Sequence, residues 1–236
     1  MGIKERQERG REAVHRGILD AARELFVAEG YRHVSIRKIA ERIEYSPAAI
    51  YGYFPSKDDI FFALAEEGFH LLYGERASYD ELAAMPPLER IRAIFSHLYQ
   101  FSLNHPEYFA LMFIDRDVPR ISREYERFAF AREMKAHLVE QFRECIDQGL
   151  LPGSTSPYAA FRLLAAAVVG VAVMRLSDRL APGEDADAIA ADIINVTIAG
   201  LQAGVPLRSH SIADPCLVEL PIAPDGAPLS EQEPHS

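Results

Sequence analysis

The stretch Val34-Ser-Ile-Arg-Lys-Ile-Ala-Glu-Arg-Ile-Glu-Tyr-Ser-Pro-Ala-Ala-Ile-Tyr-Gly-Tyr-Phe-Pro-Ser-Lys57 decides how this chain is read. Ile36, Ile39, Ala40 and Ile43 fall at i, i+3, i+4 and i+7, the spacing of one apolar stripe on a helix. Ser35 stands just before the stripe, where its hydroxyl serves as a cap for an orphan backbone N–H. Ser46 holds the same position for a second helix, and Pro47 follows at the first helical residue, where a missing N–H costs nothing. Ile50 and Phe54 lie one turn apart and point inward together, and Pro55 closes the element. Only Glu44 and Tyr45 remain for the turn, so the spacing predicts a helix-turn-helix. The second helix shows mainly small residues and tyrosines, a surface suited to lying in the major groove of DNA.

Read with its flanks, the segment resembles the DNA-binding domain of the TetR family of transcriptional regulators. Tyr51, Tyr53, Phe54 and Lys57 occupy the places where that family closes its recognition helix. Ile18-Leu-Asp-Ala-Ala-Arg-Glu-Leu-Phe26, followed by Glu29-Gly30-Tyr31, resembles the family's first helix and its exit. The resemblance spans roughly Arg16 to Phe69 and implies a dimeric regulator that binds a palindromic operator and answers to a small molecule. Two residues depart from the pattern. Glu44 stands where the family's turn commonly holds glycine, which asks a non-glycine residue for a left-handed conformation costing about 1–2 kcal/mol. Ala48 replaces a frequent glycine and brings to the groove a methyl group that fits against thymine.

Charge agrees with that reading. The chain carries a formal net charge of −10. Residues 1–57 hold 11 Lys and Arg against 8 Asp and Glu, a net of +3, and the remainder holds 14 against 27, a net of −13. An acidic protein with its positive balance at one end is arranged to meet a polyanion with that end.

The expected DNA-contacting residues are Ser35, Arg37, Lys38, Ser46, Pro47, Ala48, Tyr51, Tyr53 and Lys57. Lys57 is expected to reach a phosphate with its ammonium. Arg37 suits a guanine edge or the backbone, whereas Lys38 fits a solvated face equally well. Tyr51 and Tyr53 lie two residues apart and point to different sides, so one suits DNA while the other packs or caps. In the N-terminal arm Lys4, Arg6, Arg9 and Arg11 alternate with Glu5, Glu8 and Glu12. The minor groove is one use for it, and a frayed terminus that takes no part is the favoured alternative.

Length leaves room for a second domain, and every long segment beyond Lys57 has helical periodicity. Helices are expected over 58–76, 88–103, 107–113, 121–148, 157–180 and 185–203, with Gly149 and Pro182-Gly183 as stops. No strand alternation appears, so the fold class is all-α: a three-helix DNA-binding head over 1–57 and a helical effector-binding and dimerisation domain over 58–204. The tail, 205–236, holds six prolines and no apolar stripe.

Leu163 to Met174 is apolar on every side, but Arg162 and Arg175 bracket only 12 residues, fewer than the about 20 that a membrane span needs. With the stripe Ile189, Ile193, Val196 and Gly200 it forms a helix pair suited to a four-helix interface with a second chain, the arrangement by which TetR-like proteins dimerise. Ala166, Val169, Gly170, Val173, Ile193, Val196 and Gly200 are the expected contacts, and a monomer with these helices in its core is the alternative. An aromatic region, including Phe128 and Phe130, offers an effector chamber. Its expected lining is Phe69, His70, Phe95, His97, Tyr99, Phe109, Phe113, Met134 and His137, and ordinary core packing competes for each.

Enzyme signatures are missing: there is no Gly-x-Ser-x-Gly, no Gly-Lys-Ser/Thr phosphate loop and no His-Glu-x-x-His. Glu67-x-x-His70 has the spacing of half a carboxylate-bridged di-iron site, but the other copy, Glu12-x-x-His15, lies in the head. Cys145 and Cys216 lack metal-ligand spacing and suit a reducing compartment. The expectation is a cytoplasmic regulator that is not an enzyme and takes no cofactor, metal or membrane. A DNA-binding architectural protein with a filled core and no effector is the competing reading.

Overall fold

The computed structural model describes residues 3–74, 79–115, 117–119 and 129–207. Helices α1 (Ile3–Glu29), α2 (Ile36–Arg42) and α3 (Pro47–Tyr51) form the head, with a short 3-10 turn at Tyr31–His33. The rest follows as α4 (Lys57–Gly74), α5 (Tyr79–Ala84), α6 (Pro87–Asn104), α7 (Pro106–Phe113), α8 (Ala129–Asp147), α9 (Pro157–Leu176) and α10 (Ala186–Gln202). No strand occurs among the described residues, so the class is all-α.

In the head, α1 buries Ile18, Leu19, Ala22 and Phe26, and these meet Ile39 of α2 and Ile50 of α3. Both serine caps form: the Ser35 hydroxyl accepts from the Lys38 N–H and the Ser46 hydroxyl from the Ala49 N–H, each at 3.2 Å. The turn between α2 and α3 closes with the Tyr45 N–H on the Ala40 carbonyl at 2.9 Å and the Glu44 N–H on the Glu41 carbonyl at 3.3 Å. That is a Schellman closure, and it holds Glu44 at φ 60°. The left-handed residue expected from the sequence is therefore there, without glycine.

In the body, α9 buries Leu164, Val168 and Ala172, while α10 buries Ala190, Ile194, Ile198 and Leu201. These helices pack on each other and on α6. Several expected bounds shift. Helix α9 stops at Leu176 rather than at residue 180, because Asp178 turns left-handed at φ 51° and the Arg179 N–H closes on Met174. The short α5 has no counterpart in the expectations. The N-terminal arm is helical from Ile3, not frayed. The expected helical start at residue 121, Phe128, the Phe130 side chain and residues 208–236 of the tail lie outside the described residues.

Head and body are joined by polar contacts across α1, α4 and α7. Arg16 meets Glu67 at 2.5 Å and Asp20 at 2.7 Å, and the Arg23 guanidinium donates to the Tyr108 hydroxyl at 2.8 Å. The hydrogen bond from Arg16 holds the Asp20 carboxyl below its usual range. Helices α4 and α7 cross closely at Gly68, where a Cβ would lie 2.5 Å from Met112 Sδ and 3.2 Å from Tyr108 Cδ1. Past α7, Asp115 accepts from the Tyr31 N–H at 3.3 Å and Asp117 pairs with Arg32 at 2.9 Å.

Candidate DNA-binding interface, effector chamber and pairing face

Helix α3 is a single short rod, and only Ile50 is fully buried on it. Its other face is open: Ser46, Pro47 and Ala48 are exposed, Tyr51 is 55 % exposed and the neighbouring Tyr45 is 46 % exposed. Ser35, Arg37 and Lys38 at the start of α2 are exposed as well. Eight of the nine expected DNA-contacting residues are thus surface or half-buried groups, Tyr53 among the latter. Tyr45 had been given only to the turn.

The ninth, Lys57, is placed differently. Its ammonium donates to the Tyr31 carbonyl at 2.8 Å and the Val34 carbonyl at 3.0 Å, and it lies 3.9 Å from the centre of the Tyr31 ring. Burial pushes the Lys57 pKa down from its ordinary value. The Tyr31 hydroxyl donates to Asp58, and burial together with that carboxylate raises the tyrosine pKa. The expectation of an ammonium held out for phosphate is corrected: the carbonyls at the end of the 3-10 turn outcompete solvent, and the side chain ties that turn to α4. Sequence spacing shows where α4 starts but not which way its first side chain folds.

The cations of α2 have partners too. Arg37 pairs with Glu41 at 2.8 Å, Lys38 with Glu29, and Arg42 with Glu24 at 2.8 Å. These pairs are exposed, and exposed pairs contribute about 0–1 kcal/mol, so a phosphate displaces them easily.

With this geometry in view, the comparisons with known proteins are specific. The profile described as "Bacterial regulatory proteins, tetR family" matches residues 18–64, and "Tetracyclin repressor-like, C-terminal domain" matches residues 91–197. The chain belongs to the TetR family. It is a DNA-binding transcriptional regulator and, like its relatives, not an enzyme. The HTH-type transcriptional repressor Rv1474c of Mycobacterium tuberculosis is 44% identical over 55 residues, covering 23% of this chain and 29% of that protein. The match therefore spans less than a third of that relative. A TetR/AcrR-family transcriptional regulator from Thermobifida fusca superposes with a TM-score of 0.54 at 26% identity, covering 80% of this chain and 98% of that one. The regulator FadR from Bacillus subtilis, solved with stearoyl-CoA, gives a TM-score of 0.64 at 16% identity and covers 78% and 97%. AibR, solved with isovaleryl coenzyme A and operator DNA, gives 0.61 at 19% identity and covers 77% and 96%.

In this TetR-family chain the expected chamber residues are scattered. Phe95, Tyr99 and Phe109 are buried and packed, Phe95 against Phe142 at 6.1 Å and Phe161 at 6.2 Å between ring centres. The Tyr99 hydroxyl donates to Asp187 at 2.7 Å; burial first, and then this carboxylate, pushes its pKa up to about 12. His97 bonds the Leu72 carbonyl at 3.0 Å, Phe69 and Met134 pack half-buried on the core, and Phe113 is at the surface. His70 is exposed beside Glu66 at 3.9 Å, and Glu67, the other half of the di-iron spacing, is held by Arg16. Among the described residues a cleft of about 200 Å³ lies between α5, α6 and α8, lined by Leu82, Arg90, Ile94, His137, Leu138 and Gln141 among others. Of the nine chamber residues only His137 lines it. Aromatic enrichment is a property that core and cavity share, so the sequence could not separate them.

The expected pairing face is more coherent. Ala166 and Gly170 on α9 are exposed, and so is Val196 on α10, at 66 %. Val169, Val173, Ile193 and Gly200 are half-buried around them. Leu163 and Met174, the two ends of the apolar segment, were not among the expected contacts and extend the same face. A Cβ at Gly170 or Gly200 would meet nothing within 4 Å inside the chain, so nothing in one copy requires glycine there.

Proposed function

We propose that this regulator is a homodimeric repressor that acts in the cytoplasm, binds a palindromic operator and leaves it when a small apolar or aromatic effector binds among the body helices. The observation that carries the dimer is the exposed apolar face of α9 and α10, whose glycines leave room for a close-packed second copy. Two-fold pairing through that face gives two recognition helices related by symmetry, and such pairs read half-sites about 34–36 Å apart.

DNA contact is assigned to Ser35, Arg37, Lys38, Ser46, Pro47, Ala48, Tyr51 and Tyr53, with Tyr45 added. Release follows from the joint: Gly68, Arg16–Glu67 and Arg23–Tyr108 couple α1 to α4 and α7, so a shift of α7 moves the head. The cleft between α5, α6 and α8 is smaller than the roughly 300–1,000 Å³ of small-molecule sites, so an effector seated there opens these helices further. FadR and AibR were solved with acyl-CoA molecules, which makes acyl thioesters the first compounds to try.

The packed Phe95, Tyr99 and Phe109 favour a second reading, a DNA-binding architectural protein with a filled core. Thermal melts against apolar acids, aromatic compounds and acyl-CoA thioesters separate the two, because a ligand of the folded state raises Tm by mass action. A concentration-dependent rise that also weakens DNA binding supports the effector reading. No shift with any compound supports the architectural one.

A further inference from the structure

Helix α1 runs 27 residues, but its buried face begins only at Ile18. Residues 5–13 are all exposed, so about two and a half turns of helix, roughly 14 Å at 1.5 Å per residue, project past the packed head. A helix of mostly charged residues that buries nothing gains no packing from continuing.

The projection is not aimed at random. His15 stacks on Phe54 with 4.7 Å between ring centres, and the Arg11 guanidinium lies 5.7 Å from the centre of the Tyr53 ring. The extension therefore leaves the head beside Tyr53 and Phe54, the two aromatic residues that follow α3.

Partnering separates its cations from the others. Arg16 and Arg23 are held by Asp20, Glu67 and Tyr108, Arg37, Lys38 and Arg42 by glutamates, Arg32 by Asp117, and Lys57 by carbonyls. Among the described residues of the head, the extension's Arg6, Arg9 and Arg11 make no ion pair with a carboxylate, and Arg9 bonds the Glu5 carbonyl at 3.4 Å. Arg11 is instead positioned over a ring that leaves its donors available. Cations with donors to spare, on a rod beside the recognition helix, match the phosphate backbone that flanks the major groove.

We infer that the N-terminal extension of α1 is a second DNA-contacting element, with Arg11, positioned by Tyr53, and Arg6 bonding phosphates outside the base pairs that α3 reads. This rests on the reading of α3 as the recognition helix.

The test measures affinity against salt for wild type, Arg11→Gln and Arg6→Gln/Arg11→Gln. Each protein is titrated on a selected duplex and on the same duplex trimmed to the base pairs protected by α3. Each lost phosphate contact lowers the slope of log K against log salt by about 0.9, so one contact per half-site gives a drop of about 1.8 for Arg11→Gln. Trimming should weaken wild type and barely affect the double variant, a difference that a general loss of fold would not produce. Equal slopes, or an equal trimming penalty in wild type and variants, overturns the assignment. Wild type that fails to bind any duplex overturns the recognition-helix reading itself.

Discussion

Replacing Lys57 by methionine keeps the apolar stem and removes the ammonium that joins α4 to the turn before α2. Two charge-assisted hydrogen bonds go, to the Tyr31 carbonyl at 2.8 Å and the Val34 carbonyl at 3.0 Å, together with the contact over the Tyr31 ring. Hydrogen bonds to charged groups contribute about 1.5–3 kcal/mol each, and the ring contact adds about 0.5–1 kcal/mol. The site is only part-buried, so water recovers some of this, and a net loss of about 2–3 kcal/mol is expected. For a chain of this size each kcal/mol lowers Tm by about 2–4 °C, which gives a drop of roughly 4–12 °C. Calorimetry measures that, and anisotropy titrations measure the salt slope of DNA binding. The geometry predicts a lower Tm with an unchanged slope. An unchanged Tm with a slope reduced by about 0.9 per half-site would mean that Lys57 leaves the carbonyls for phosphate, and the assignment would fall.

Three other outcomes follow from single sites. Glu44→Gly removes a left-handed strain of about 1–2 kcal/mol but adds glycine's unfolded-state entropy of about 0.4–1 kcal/mol, so denaturant melts should show a net gain near 0.5–1 kcal/mol; a loss would mean the Glu44 side chain contributes more than its strain. Asp20, held low first by Arg16, contributes stability that is present above the unfolded carboxyl pKa of about 4 and is lost as pH falls through its lower folded value. Stability measured from pH 6 to about pH 2 should therefore fall more steeply in wild type than in Asp20→Asn, and parallel curves would remove Asp20 from the joint. Gly170→Arg should give monomers by light scattering without loss of helical content, since the added side chain meets nothing within one chain; an intact dimer would put the pairing elsewhere.

The head was legible because its signals are local. Ser35, Ser46, Pro47 and the Ile36-Ile39-Ala40-Ile43 stripe act within a few residues of themselves, and each appears in the structure where its spacing put it. Glu44 was legible for the same reason, since a Schellman closure between adjacent helices demands a left-handed residue. The fate of Lys57 was not, because it depends on carbonyls 26 and 23 residues away. Nor did charge alternation in the arm reveal a helix aimed along Tyr53 and Phe54, a direction set by packing of His15. The effector chamber was least legible. Phe95, Phe109 and Tyr99 are apolar at helical spacing whether they line a void or fill one, and the cleft that does open is bounded by Arg90 and Gln141, residues that stood out by no pattern.

The central claim is a paired reader of a symmetric site. Selection of bound sequences from a randomised duplex pool, with stoichiometry by mass photometry, tests it most directly. The account predicts an enriched inverted repeat whose half-sites are centred about 34–36 Å apart and bound by two chains. Recovery of no common sequence, or of a single asymmetric site held by one chain, would contradict it.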